Sequence, residues 1–312
     1  MKSGFIRAFV ACLVLSVSHT SFASDLHLQR EDGSEITAYL KSQSGAKASD
    51  LLVLIQGSDC NSVANNALIN EQFSQALPEA DVLTVEKYGI TSDLVWKQVD
   101  ERDDCPADYI EYDSLERRTA DYIKAIKHLK EGGEYQRVVL LGGSEGAVVA
   151  NMIAARADFV TASIALNAGG RHFIDDVLHS MQFTDMSEDA FKEASEGFKG
   201  FAQRVTTHEP FELNMSAHGY QWWHIALKLD QLEVLTQIDS PLLIVQGGQD
   251  KSVSPKAVEE QITKLKALHK NNITYKEYPE MGHSFKGTEG VFMVDQVISD
   301  IQAWLAQQYS LH

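Results

Sequence analysis

Residues 138–146 read Val138-Val139-Leu140-Leu141-Gly142-Gly143-Ser144-Glu145-Gly146 and continue into Ala147-Val148-Val149-Ala150. The unbroken apolar run Val138 to Leu141 predicts a strand buried on both faces, the environment of a parallel sheet covered by helices. It leads directly into G-x-S-x-G, and the small and apolar residues that follow predict a helix. A sharp strand-to-helix turn exposes a serine hydroxyl only if the backbones around it approach closely, and side chains two positions to either side of the serine would collide there. Gly142 and Gly146 meet that requirement, while Gly146, Ala147 and Ala150 let the helix pack tightly on the sheet. The pentapeptide alone recurs by chance. Its strand-turn-helix context makes Ser144 the candidate nucleophile.

Further buried strands are predicted at Leu51 to Ile55, Val82 to Val85, Ser163 to Leu166 and Leu242 to Val245, and a last strand at Ile273 to Tyr278. Segments of helical period lie between them. Leu115, Thr119, Tyr122, Ile126 and Leu129 form one apolar face, with Asp113 and Glu116 expected as a capping pair. Ser254-Pro255 is a cap residue followed by proline at the first helical position, and Val294, Val297, Ile298, Ile301, Trp304 and Leu305 lie along one side of a final helix. Alternating strands and helices imply an α/β fold with a mostly parallel, doubly wound sheet. From about 170 to 235 no strand signal is found, only helical patterns, which predicts a helical insertion. Its most aromatic part, Tyr220-Gln221-Trp222-Trp223-His224, reads as core of that insertion before it reads as a pocket wall, because a lid must also bury its own apolar face.

A serine hydroxyl needs a base to remove its proton, and the base needs an orienting group. Both are found after late strands, in the order Ser, Asp, His. Leu242 to Val245 leads into Gln246-Gly247-Gly248-Gln249-Asp250, and Ile273 to Tyr278 into Pro279-Glu280-Met281-Gly282-His283. Alone, Asp250 would be a turn aspartate and His283 one surface histidine among several. Their joint placement assigns Asp250 as the orienting acid and His283 as the general base. Asp230 and Asp239 precede the strand, and Glu280 shares the histidine's loop. Donors for a developing oxyanion are expected from the amide of Glu145 and from the loop Gln56-Gly57-Ser58-Asp59-Cys60, where the Ser58 amide is the candidate.

These residues resemble the α/β-hydrolase superfamily over nearly the whole chain, in particular the branch of exported esterases, acyl hydrolases and prolyl-oligopeptidase-like or dienelactone-hydrolase-like enzymes. The resemblance implies an eight-stranded sheet, a cap after the sixth strand, no cofactor or metal, and a covalent acyl-serine intermediate. It makes a serine esterase acting on a small acyl substrate or short peptide the expected function. Amidase, peptidase and thioesterase activities are alternatives on the same triad, and a non-catalytic binding protein of the same fold is the alternative from another class. Two departures stand out: Gln56-Gly57 replaces the His-Gly common in relatives, and Glu145 follows the nucleophile where an aromatic, Met or His is more usual. Glu145 is expected to disfavour anionic substrates or to capture a cationic group.

Lys2 and Arg7 precede the apolar run Ala8 to Val17, and Ser21-Phe22-Ala23 offers small residues for cleavage, so residues 1–23 read as a secretory leader and 24–312 as one domain. The predicted location is secreted or periplasmic. A leader with two basic and no acidic residues takes the net charge from -17 to -19 on removal, which argues against nucleic acid and anionic membrane as partners. Cys60 and Cys105 then remain as an even pair that an oxidising compartment would join; neither belongs to a Cys/His cluster of metal-ligand spacing. Asn214-Met215-Ser216 and Asn272-Ile273-Thr274 match the glycosylation pattern, a short match common by chance.

Overall fold

The computed structural model describes residues 23–43, 48–98, 102–133 and 135–310. Apart from Ala23, the predicted leader lies outside the described residues. Eight strands, β1 (Ala23–Gln29), β2 (Glu35–Lys41), β3 (Asp50–Ile55), β4 (Asp81–Val85), β5 (Arg137–Gly143), β6 (Ala162–Leu166), β7 (Leu242–Gly247) and β8 (Ile273–Tyr278), form one sheet in the order β1-β2-β4-β3-β5-β6-β7-β8. β1 pairs antiparallel with β2, and β2 antiparallel with β4; every other pairing is parallel. This is the expected doubly wound α/β architecture, with the α/β-hydrolase strand number.

Continuous apolarity in the central strands has a simple cause. Leu51, Val53 and Ile55 of β3 and Val138 and Leu140 of β5 face one core. The intervening Leu52, Leu54, Val139 and Leu141 face the other. Alternate side chains of a strand point to opposite sides, so a sheet with a core on each face needs apolar residues at every position. The first core is closed by α2 (Leu115–Glu131), α3 (Glu145–Arg156) and α8 (Pro255–Ala267). The second is closed by α9 (Val294–Ser310), which buries all six residues assigned to its apolar side.

Ser254 caps α8 as expected, its side chain accepting from Ala257 N at 3.2 Å ahead of Pro255. The start of α2 corrects the sequence reading. Ser114, extended at φ -165°, is the cap and accepts from Arg117 N at 3.2 Å. Asp113 lies one residue further out, turned inward and 1% exposed. A second difference is the terminal pair β1 and β2, which the residue pattern did not reveal.

Between β6 and β7 lie α4 (Phe173–Met181), α5 (Glu188–Thr207), α6 (Tyr220–Lys228) and α7 (Gln231–Thr236). Trp223 packs edge-on against Phe201 and Phe198 of α5, so it is core, as weighed from sequence. Trp222 belongs to the same aromatic cluster but also reaches the functional site. Among the described residues no helix is long and apolar enough to cross a membrane.

Candidate active site

Ser144 sits between the end of β5 and the first residue of α3 with φ 56° and ψ -126°, a conformation costly for a residue with a Cβ. Its amide donates to Leu166 O at the end of β6, at 2.8 Å, which pins the turn to the sheet. A Cβ on Gly142 would lie 2.1 Å from Gly146 O, and one on Gly146 would lie 2.1 Å from Ile55 O. Those two glycines are therefore obligatory, whereas Gly143 has open space around it. The turn presses against the end of β3, where a Cβ on Gly57 would lie 3.6 Å from Ser144 Cβ.

Asp250 and His283 meet because their loops touch. Gly247, the last residue of β7, lies so close to the histidine loop that a Cβ there would fall 2.5 Å from Met281 O. His283 Nδ1 pairs with Asp250 Oδ2 at 2.7 Å, the acid side chain fully buried and the imidazole 28% exposed. The other carboxylate oxygen accepts from Ser252 N at 2.8 Å and Val253 N at 3.1 Å, so the acid cannot swing away. With Nδ1 donating, Nε2 is left as the acceptor. His283 and Ser144 both line a cavity of about 210 Å³ whose other walls include Leu54, Ile69, Phe73 and Phe285.

Asn167, which the sequence reading passed over, holds the histidine loop. It follows β6 at φ 51°; its Nδ2 donates to His283 O at 2.6 Å and its Oδ1 accepts from Gly247 N at 2.8 Å. One side chain thus ties the base's backbone to the end of the strand that carries the acid.

The amides of Glu145 and Ser58 have no acceptor among the described residues. Both residues line a second cavity of about 100 Å³ on the other side of Ser144, with Phe173, Trp222, Ala226 and Leu229. The Glu145 side chain departs from expectation: its carboxylate is buried, ion-paired with Arg118 Nη1, and accepts from Trp222 Nε1 at 2.7 Å. Burial alone would raise its pKa, but Arg118, with His218 and Lys87 in support, holds it below the usual value. A carboxylate already matched by a buried guanidinium neither repels anions nor captures cations, so that expectation is withdrawn.

The other sequence-derived residues lie outside the proton relay. Cys60 and Cys105 are disulfide-bonded, linking the 56–60 loop to the segment before α1 (Ala107–Tyr112). Asp230 caps α7 and pairs with Arg171, and Asp239 is exposed beside Lys270. Asp176 of α4 is a buried acid that sequence reasoning missed. It borders the smaller cavity and accepts from Ser254 N at 2.8 Å and Gly170 N at 3.1 Å. Burial, with Asp175 and Asp250 nearby, pushes its pKa up to about 7.

The family model described as the prolyl oligopeptidase family, peptidase S9, matches residues 107–311, a span that holds Ser144, Asp250 and His283. A search of curated proteins finds no match. Solved structures that superpose on the chain include Est1E from Butyrivibrio proteoclasticus, with TM-score 0.61 and 16% identity over 92% of this chain and 99% of that one. The Pyrococcus furiosus esterase Pf2001 superposes with TM-score 0.59 and 13% identity over 93% and 92% of the two chains. A Mycobacterium tuberculosis puromycin-hydrolyzing peptidase does so with TM-score 0.60 and 18% identity over 96% of this chain and 41% of that one. At such identities the superpositions speak to fold alone, and they agree on it. The family match covers well over half the sequence and includes the serine turn and both late loops: the chain belongs to the prolyl oligopeptidase family and is a serine hydrolase of the α/β-hydrolase fold.

Proposed function

We propose that the chain hydrolyses carboxylic esters through an acyl-enzyme on Ser144. His283 Nε2 takes the hydroxyl proton as Ser144 Oγ attacks the ester carbonyl carbon, and Asp250 steadies the imidazolium that results. The carbonyl oxygen becomes an oxyanion facing the amides of Glu145 and Ser58. When the carbonyl re-forms, the ester C–O bond breaks and His283 gives its proton to the departing alcohol; water then repeats the sequence and releases the acid.

The observation that carries this reading is the His283–Asp250 pair, whose imidazole shares one cavity with a strained Ser144. The alcohol must leave past His283, so it occupies the larger chamber. The acyl group then takes the smaller one, beside the two amides. Both chambers have largely apolar walls, which favours a short apolar acyl group on a bulkier apolar alcohol. One of the superposed structures is named as an esterase and one as a peptidase, and a peptide or amide substrate is the second reading, supported by the family's name. Paired assays on an ester and the matching anilide separate the two. Ser144→Ala should lose turnover by roughly 10⁴-fold or more with its unfolding transition intact; a folded variant with undiminished activity would refute the proposal.

The same reading includes export. The basic, apolar and small-residue succession of residues 1–23 supports it, as does a disulfide suited to an oxidising compartment. N-terminal sequencing of the exported protein should begin at Ser24; an intact Met1 in that fraction would contradict it.

A further inference from the structure

The loop that offers the Ser58 amide is held by side chains that take no part in the proton relay. Arg118 Nη2 on α2 donates to Gln56 O at 2.6 Å. Tyr109 OH on α1 donates to Ser58 O at 2.9 Å, and Lys87 Nζ, just after β4, donates to Asp59 O. The peptides on either side of the Gly57–Ser58 bond are therefore fixed through their carbonyls, and the orientation of the Ser58 amide follows from theirs. On the far side of the loop, Gln56 Nε2 donates to Asp59 Oδ1 at 2.6 Å and to Asn61 O at 3.1 Å, and Cys60 is tied to Cys105.

The other amide is fixed from the same place. While Nη2 of Arg118 holds Gln56 O, its Nη1 pairs with the Glu145 carboxylate, so one planar guanidinium spans the two chain segments that supply the two amides. Glu145 is held from its other oxygen by Trp222 Nε1 of α6. Trp222 stacks on His218 at 3.9 Å between centroids and 13° between planes, and His218 Nδ1 lies 3.4 Å from Tyr109 OH. The contacts close a ring from Gln56 through Arg118, Glu145, Trp222, His218 and Tyr109 to Ser58. Arg118 is 3% exposed and Glu145 8%. A buried charge pair contributes little net stability over an apolar pair of the same shape, whereas a rigid guanidinium fork with two fixed acceptors sets a distance.

We propose that Arg118 and Glu145 are positioning residues that fix the separation and aim of the two oxyanion-binding amides, with α6 buttressing the clamp through Trp222. The inference rests on the hydrolase reading above, because it concerns a hole used only when Ser144 attacks. An Arg-to-Lys change keeps the charge but cannot span both acceptors.

Two variants test it: Arg118→Lys, and the joint replacement Arg118→Met with Glu145→Leu, which removes both charges of the pair together. Each is assayed for kcat, KM and Tm, and for inhibition by an aryl trifluoromethyl ketone. That probe forms a bond from Ser144 Oγ to its carbonyl carbon, passes the serine proton to His283 and leaves an oxyanion in the hole. The expected result for the joint variant is a cooperative transition, kcat lower by about 10²-fold, KM within a few-fold, and ketone affinity weakened by the same factor as kcat. Arg118→Lys should fall between it and the wild type. A folded joint variant with wild-type kcat and ketone affinity overturns the proposal; should the joint variant fail to fold, an Arg118→Lys protein unimpaired in both measurements does so. Ser144→Ala, run alongside, separates the two levels: if it stays active the hydrolase reading fails, while an inactive Ser144→Ala beside unimpaired clamp variants rejects only the clamp.

Discussion

Asn167 shows how much geometry one residue can hold. Asparagine tolerates the left-handed conformation that this position requires, and its amide then reaches both the His283 carbonyl and the Gly247 amide. Asn167→Gly keeps the backbone relaxed and removes only the amide. It should lower kcat by about 10-fold through a loosened base and cost about 1–3 kcal/mol for the unsatisfied Gly247 N–H, measured by steady-state kinetics and denaturant unfolding; unchanged kcat would remove Asn167 from the positioning set. Ser144, Asp250 and His283 were legible because each lies in a loop whose preceding strand announces itself. The pairing of the Glu145 side chain was not, since its partner Arg118 is 27 residues away. A clue was present: Arg118 falls between Leu115, Thr119 and Tyr122 on the apolar stripe of α2, and a charge on such a stripe signals a buried partner.

At the scale of elements, burial on both faces made β3 to β7 readable, and its absence hid the β1–β2 edge of the sheet. β2 buries only Ile36 and Ala38, and Leu26 and Leu28 of β1 merely flank the core, so both strands read as polar segments with scattered apolar residues. The cap of α2 was misread by one residue for a related reason: Ser and Asp both suit the position, and backbone extension at Ser114 decides between them. The disulfide acts at this scale, closing a sequence separation of 45 residues between the oxyanion loop and the start of α1. Removing it in a Cys60→Ser, Cys105→Ser variant should cost about 2–4 kcal/mol of stability and lower kcat, as the loop gains freedom. Unfolding at constant pH and the ester assay check this; a variant with wild-type Tm and turnover would show that the bond neither braces the fold nor the hole.

For the whole molecule, the helices between β6 and β7 and those before β5 meet over the serine turn and bury more charge there than a sheet core tolerates unaided. Asp113, held by burial at a pKa of about 7, and Asp176, also near 7, bind their protons more tightly folded than unfolded. Their contribution is complete below about pH 4 and is lost as pH rises through about 7, so native stability should fall across that interval. Asp113→Asn cannot ionise and should flatten the decline of Tm between pH 4 and 8; a variant that tracks the wild type at every pH would show that this carboxyl is ionised throughout. The burial of Asp113 and Asp176 could not be read from spacing, because it arises where segments distant in sequence converge. The relay itself is tested most directly by fluorophosphonate labelling of the purified protein, with the adduct mapped by mass spectrometry. The expected result is a single adduct on Ser144 that forms orders of magnitude more slowly in His283→Ala; an adduct on another residue, or labelling of Ser144 that is indifferent to the histidine, would contradict it.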